Sequence, residues 1–388
     1  MGLRRRWVAF AVGRAHALVV EVPGWWATRV AVEQDLARRG WRSALSPADA
    51  DVLIVCGEPD GGLAEVIDRV WDQLPGPRAR VGATGREVAA ALDEAAMQLA
   101  DHDGQADDAR HRGSPIEERR NKHGDTDQGG QEDSGDHNGD RSSTDHGDTD
   151  HGDTDHGDMD MGPAGIALAS GAEGRDGLEM DVLHVPLGPV LPHWPAGLVL
   201  RGVLHGDVVA DAEVEVLGGR GMPRPWAVSV LPALRAAAAC DGVACLLAVA
   251  GWDDAATAAR RVRDLVLDDS ADRAQAARQL ERLRSRVTRS WSLRWLLRGL
   301  GPLDDSVVRS RGLPVDVRGD VHDRLVAMLA RAVAELRTEA VGSDTDPYAV
   351  LDALPEAVSG LELGAVRLVV ASLHPDTAGV LRREHARA

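Results

Sequence analysis

Ala17-Leu-Val-Val-Glu-Val-Pro-Gly24 is a short apolar run ended by a turn-forming pair, and it reads as a strand running into a tight turn. A helix is expected from Trp25 to Arg39, with Trp26, Val30 and Ala37 on one face, Glu33 intruding on it, and Gly40 ending it as a C-terminal cap. Asp51-Val-Leu-Ile-Val-Cys56 is a second, buried-strand run, closed by Gly57. Leu63 to Leu74 reads as a helix stopped at Pro75, and Arg78 to Val81 as a third strand. Glu87 to Ala100 reads as a helix with Val88, Leu92, Ala95 and Leu99 on one stripe. Strand and helix alternate, so residues 1–100 are expected to form an α/β domain on a parallel sheet.

Residues 101–161 have a different composition. Ile116 is their only large aliphatic residue, and 19 acidic side chains against 6 basic ones give the segment a net charge of −13. Such a chain cannot bury enough apolar area to offset its ordering entropy, so a disordered acidic linker is expected. A pentad repeats within it: Asp145-His-Gly-Asp-Thr, Asp150-His-Gly-Asp-Thr, Asp155-His-Gly-Asp-Met. His146, His151 and His156, with Asp148, Asp153 and Asp158, offer imidazole and carboxylate ligands suited to weak uptake of Zn or Ni. The same pattern also reads as a solvated spacer grown by repeat slippage. Nothing in it would exclude water, so it is not read as a catalytic metal centre.

Residues 162–388 begin with β-like segments at Met180 to Val185, Leu198 to Leu204 and Val208 to Leu217, with His205-Gly206-Asp207 as a hairpin turn. From Pro225 onward the pattern is helical. The strongest helix is expected over Asp272 to Arg298, with Ala276, Leu280, Leu283, Val287 and Trp291 on one stripe. Another is expected over Asp320 to Leu336, and a helix near Leu361 should lead into a more β-like Val366 to Ser372. The fold class expected here is an α+β domain of short β-hairpins and a helical bundle.

The chain of 388 residues has a net charge of −18, of which only −5 falls outside the linker, so nucleic-acid binding is not expected. One lysine, Lys122, against 43 arginines reads as the bias of a GC-rich genome. Cys56, Cys240 and Cys245 are odd in number and irregular in spacing, which implies buried thiols rather than a disulfide framework. The apolar stretch after Arg4-Arg5-Arg6 is too short for a signal peptide, and no run approaches the ~20 apolar residues of a membrane span. Gly82-Ala-Thr-Gly85 could cradle a phosphate, but G-x-G-x-x-G and a Walker lysine are absent. His184, His193 and His205 near Asp207 could form a catalytic group, but histidines scattered at turns are more often surface residues, and the surface reading is preferred.

Residues 15–85 resemble the small electron-transfer subunit of complex I and [NiFe]-hydrogenases. The resemblance is carried by Asp35-Leu-Ala-Arg-Arg-Gly-Trp41, Leu45-Ser-Pro47, Ala50-Asp-Val-Leu-Ile-Val-Cys-Gly57 and Val66-Ile-Asp-Arg-Val-Trp-Asp-Gln-Leu-Pro-Gly-Pro77. In the family the last passage ends Tyr-Asp-Gln-Met-Pro-x-Pro; here Trp71 and Leu74 stand at the Tyr and Met positions. More faintly, Gly188-Pro189, Pro195 to Ala210, Arg273 to Arg286 and Gly319-Asp320-Val321 resemble the large partner subunit. The resemblance implies a flavodoxin-like first domain, fused through the linker to a large-subunit-like one.

It also exposes what is missing. The family holds a [4Fe–4S] cluster on four thiolates. The turn that should supply the first pair is Pro23-Gly24-Trp25-Trp26, and Gly82 to Gly85 carries no thiol either. The quinone-side histidine would fall near Ala196, with His193 shifted from it, and the quinone-site tyrosine and nickel-binding cysteine pairs have no counterpart. The implied function is a redox-inactive scaffold without catalytic residues or cofactor, docked on the membrane subunits of a complex-I-like or hydrogenase-like assembly at the inner, cytoplasmic face. Two alternatives stay open: a metal-buffering or nickel-delivery accessory protein, and a genuine quinone oxidoreductase subunit whose clusters reside in partner chains. Trp25 and Trp26 are expected to fill the vacated cluster space or an interface, or simply to pack in the core.

Overall fold

A computed structural model describes residues 13–85, 87–112, 170–173, 179–220, 232–268, 270–337 and 346–387. The first half contains β1 (His16–Glu21), α1 (Trp26–Arg39), β2 (Arg42–Ser43), β3 (Val52–Cys56), β4 (Glu58–Pro59), α2 (Gly61–Gln73), β5 (Ala79–Ala83), α3 (Val88–Ala100) and α4 (His102–Arg112). Four strands form a parallel sheet in the order β2-β1-β3-β5. Every residue of β3 is buried, as a central strand covered on both faces requires. Val52, Ile54 and Cys56 pack with Val32 and Leu36 of α1 and Leu92 of α3; Leu53 and Val55 pack with Leu63 and Ile67 of α2. Gly40 adopts the left-handed cap conformation at the end of α1. Ala37, expected on the buried face, is exposed, and Val30, Val32 and Leu36 form the apolar contact instead.

α4 moves the end of the first folded unit from residue 100 to residue 112. All of its residues were expected to belong to the disordered linker. Polar side chains hold it, so apolar periodicity could not reveal it. Gln105 donates to the carbonyls of Arg78 and Gln98 at 2.8 and 2.9 Å and accepts from the Arg78 amide at 2.9 Å. Arg78 pairs with Asp108 at 2.9 Å, while its guanidinium lies over the Trp71 ring, 4.0 Å from the centroid. The rest of the expected linker lies outside the described residues.

The second half contains β6 (Ser170–Glu173), β7 (Glu179–Leu187), β8 (Leu198–His205), β9 (Val208–Val216) and β10 (Gly219–Arg220). These are followed by α5 (Pro232–Val249), α6 (Asp253–Leu267), α7 (Arg273–Arg289), α8 (Trp291–Leu297), α9 (Asp305–Ser310), α10 (Val321–Arg337), α11 (Pro347–Val358), α12 (Leu363–Leu373) and α13 (Thr377–Arg387). β6 to β9 form an antiparallel meander. α5 is the central helix, packed by α6, α10 and α12. It is the one helix among the described residues long and apolar enough to cross a membrane, with mean hydropathy 1.5, and more than half of it is buried in this core.

Two expectations are corrected here. The long helix over 272–298 is broken at Ser290, whose hydroxyl accepts the Leu293 amide and starts α8 as a new helix. The break turns Trp291 out to solvent rather than onto the buried stripe. Val366 to Ser372 is helical, within α12; its β-branched run is buried against α5 and α10, and tertiary packing overrides strand propensity.

Among the described residues, backbone pairing and apolar packing join the halves as follows. β4 pairs antiparallel with β10, Pro59 opposite Gly219 and Glu58 opposite Arg220. Leu217 and Val190 pack on the first-half core. Gly197, at φ 70°, lies against Pro23; a Cβ there would sit 2.2 Å from the Leu217 carbonyl oxygen and 2.5 Å from Pro23 Cγ. Only glycine fits that close approach.

Candidate functional site at the junction of the halves

Trp26, Arg29 and Glu33 stand three and four positions apart on α1 and share the face turned toward the second half. Glu21 ends β1. Across the junction, Asp241 projects from α5 and Arg263 from α6. These side chains form one network. Arg29 donates through Nε to Glu21 at 2.5 Å, through Nη1 to Glu33 and through Nη2 to Asp241. Arg263 Nη1 donates to Glu33 and Asp241, 2.6 Å from each, and its Nε donates to Asp264 at 2.9 Å. The Trp26 indole N–H donates to Asp241 at 3.0 Å, and Gln34 donates to Asp264 at 3.2 Å.

Asp241 is 4% exposed and Arg263 1%. Burying such charges costs several kcal/mol each unless they are paired and hydrogen-bonded. Burial alone would raise the Asp241 and Glu33 carboxyls, but Arg29 and Arg263 outweigh it and hold both below the usual carboxylate range. Burial likewise opposes the charge on the two arginines, and the carboxylates more than offset it. The inner set holds three carboxylates against two guanidinium groups. The surplus negative charge falls on Glu21, whose carboxyl is raised by burial, with repulsion from Asp241 and Glu33 adding to it and Arg29 opposing it.

His193 stands beside this network on the β7–β8 connection, in left-handed backbone at φ 60°. Burial, and then the nearby Arg260, push its imidazole down to about 4, so it is neutral at physiological pH. Arg367 donates to the Pro192 carbonyl at 2.9 Å and anchors the connection. The arrangement can clamp two domains and take up protons at Glu21 or His193.

No family model matches this chain, and no curated protein matches it significantly.

Of the turn residues Pro23, Gly24, Trp25 and Trp26, Pro23 meets Gly197, Trp26 reaches Asp241, and Trp25 is buried in the first-half core with Leu53 and Leu63. A Cβ at Gly57 would lie 2.4 Å from the Trp25 ring. With no thiolate on the turn and an indole packed onto Gly57, these residues do not fit an iron–sulfur cluster. Cys56 lies inside β3 opposite Glu21, its thiol pushed up by burial. Burial pushes Cys240 and Cys245 to about 12, with Asp241 adding to the shift, so neither is a ready thiolate.

By register, His184 and His205 share one face of the antiparallel sheet, whereas His193 belongs to the junction, so the three do not gather. Gly82 and Ala83 continue β5 rather than opening a loop. The pentad residues His146, His151, His156, Asp148, Asp153 and Asp158 lie outside the described residues. Asp320, His322 and Asp323 place ligand atoms within 4.8 Å of one another. Their carboxylates already cap α10: Asp320 accepts from the Asp323 amide at 3.0 Å, and Asp323 accepts from the Asp320 amide at 3.3 Å. The positive helix end and nearby Arg294 and Arg298 further disfavour a cation there.

Sequence reading missed Glu21, Arg29, Asp241 and Arg263. The available signals were Glu33 on an apolar helix face and Asp241 alone among alanines in α5.

Proposed function

We propose that this chain is a redox-inactive scaffold, a degenerate fusion of small- and large-subunit-like domains of the complex I and [NiFe]-hydrogenase type, the first of them flavodoxin-like. In this reading it docks on the membrane subunits of such an assembly at the inner face of the membrane. The observation that carries the proposal is the use made of the turn Pro23 to Trp26. One indole is packed into the first-half core, and the next is bonded to Asp241 of the second half. The position that would serve electron transfer in the family thus serves domain association here.

The test is purification of the tagged full chain from detergent-solubilised membranes of its native host. Antiporter-like membrane subunits should copurify in fixed ratio, and the isolated chain should lack iron and acid-labile sulfide. Stoichiometric iron and sulfide would show a surviving redox centre, and recovery of the chain without membrane subunits would remove the scaffold role.

A further inference from the structure

α8 carries an apolar face that the described residues leave open. Leu293 and Leu297 turn inward and are buried; on the opposite side Trp291 and Trp295 are 77% and 75% exposed, with Leu296 beside them at 43%. Two adjacent exposed indoles are an uncommon use of so large an apolar side chain. Tryptophan is favoured at the boundary of water and lipid headgroups, where its ring is partly desolvated and its N–H stays bonded.

The surroundings are strongly cationic. From Arg273 to Arg298 there are eight arginines and one acid, Glu281, giving +7 within a chain of net charge −18. Arg282, Arg286 and Arg289 recur at helical spacing on the outer face of α7, opposite buried Leu280, Leu283 and Val287. Arg294 and Arg298 continue the exposed charge past the break at Ser290. Glu281 is itself engaged by Arg284 at 2.8 Å, so it does not neutralise that stripe.

We propose that the α7–α8 surface docks on an anionic phospholipid bilayer. Trp291, Trp295 and Leu296 enter the interface, and the arginines pair with lipid phosphates. Charge complementarity selects this occupant: guanidinium groups match phosphate oxygens in pairs, and basic side chains are drawn to the negative potential of an anionic bilayer surface. The combination of a tryptophan-bearing face with flanking arginines is the pattern of helices that lie in the bilayer interface. The surface does not depend on the scaffold reading, because it needs no partner subunit.

The test uses the full chain and sedimentable vesicles of phosphatidylcholine mixed with phosphatidylglycerol, against pure phosphatidylcholine. Binding should require the anionic lipid and weaken with added salt. The double variant Trp291→Ser, Trp295→Ser and, separately, Arg289→Glu with Arg294→Glu should each weaken it by about tenfold or more. These side chains are exposed, and an unchanged thermal melt would show that the variants fold. Failure of the native chain to sediment with anionic vesicles overturns the proposal, as does unchanged binding by both variants. A concentration-dependent dimer abolished by the tryptophan variant, without vesicle binding, would instead assign the patch to a second copy.

Discussion

Trp26 of the first half donates its indole N–H to Asp241 of the second across 3.0 Å and 215 positions of sequence. The same carboxylate accepts from Arg29 and Arg263, so one side chain of the central helix α5 joins three groups from two helices.

Asp241 is favoured as an anion, so its neutral replacement is expected to be costly. Asp241→Asn should destabilise the chain by about 3–5 kcal/mol, because the two guanidinium groups lose their shared negative charge and one acceptor oxygen becomes an NH2 group facing N–H donors. Urea denaturation would read this as a lower midpoint. A double replacement, Asp241→Leu with Arg263→Met, should cost less than the sum of the single changes.

Glu21 should behave in the opposite sense. Its folded carboxyl holds its proton more tightly than the unfolded one, so ionisation weakens the fold as pH rises past the ordinary glutamate value. Glu21→Gln should therefore be neutral or stabilising at pH 7, by up to about 1 kcal/mol, and should flatten that part of the pH profile. A loss comparable to that of Asp241→Asn would show that the surplus charge lies elsewhere.

His193 sets a second pH window. Its folded value of about 4 lies below the unfolded value of 6.5, so the unfolded chain binds the extra proton and stability falls as pH drops between the two. His193→Asn keeps a side chain that tolerates left-handed backbone and removes the titration. Thermal melts from pH 7 to pH 4 should lose less stability in the variant, by on the order of 1–3 kcal/mol.

Gly197→Ala should loosen the junction specifically. The added methyl would collide with the Leu217 carbonyl and Pro23 in a backbone conformation that disfavours alanine. A loss of about 2 kcal/mol or more is expected. Hydrogen exchange should show it as earlier opening of β4 and β10 than of β3.

The alternation of apolar runs with helical stripes made the parallel sheet readable, because β3 buries five consecutive residues and α3 keeps Val88, Leu92 and Ala95 inward. The hairpin at Gly206 was readable from the polar turn His205-Gly206-Asp207 between two β-like segments. α4 was not, since Gln105 and Arg78 hold it by hydrogen bonds that leave no apolar period. Nor was the helix at Val366, where burial between helices decides what local preference would assign to a strand. The junction escaped because the bonds that cross it join residues more than 200 positions apart, so neither Glu33 on an apolar helix face nor Asp241 among alanines named its partner.

One polypeptide carries both sides of the Arg29–Asp241 contact, so synthesis always delivers them in equal number. Two separate subunits would leave any unmatched copy with a carboxylate and a guanidinium stranded at an open, half-apolar surface, a substrate for degradation or aggregation. Covalent continuity removes that orphan state and makes the union of the halves indifferent to dilution.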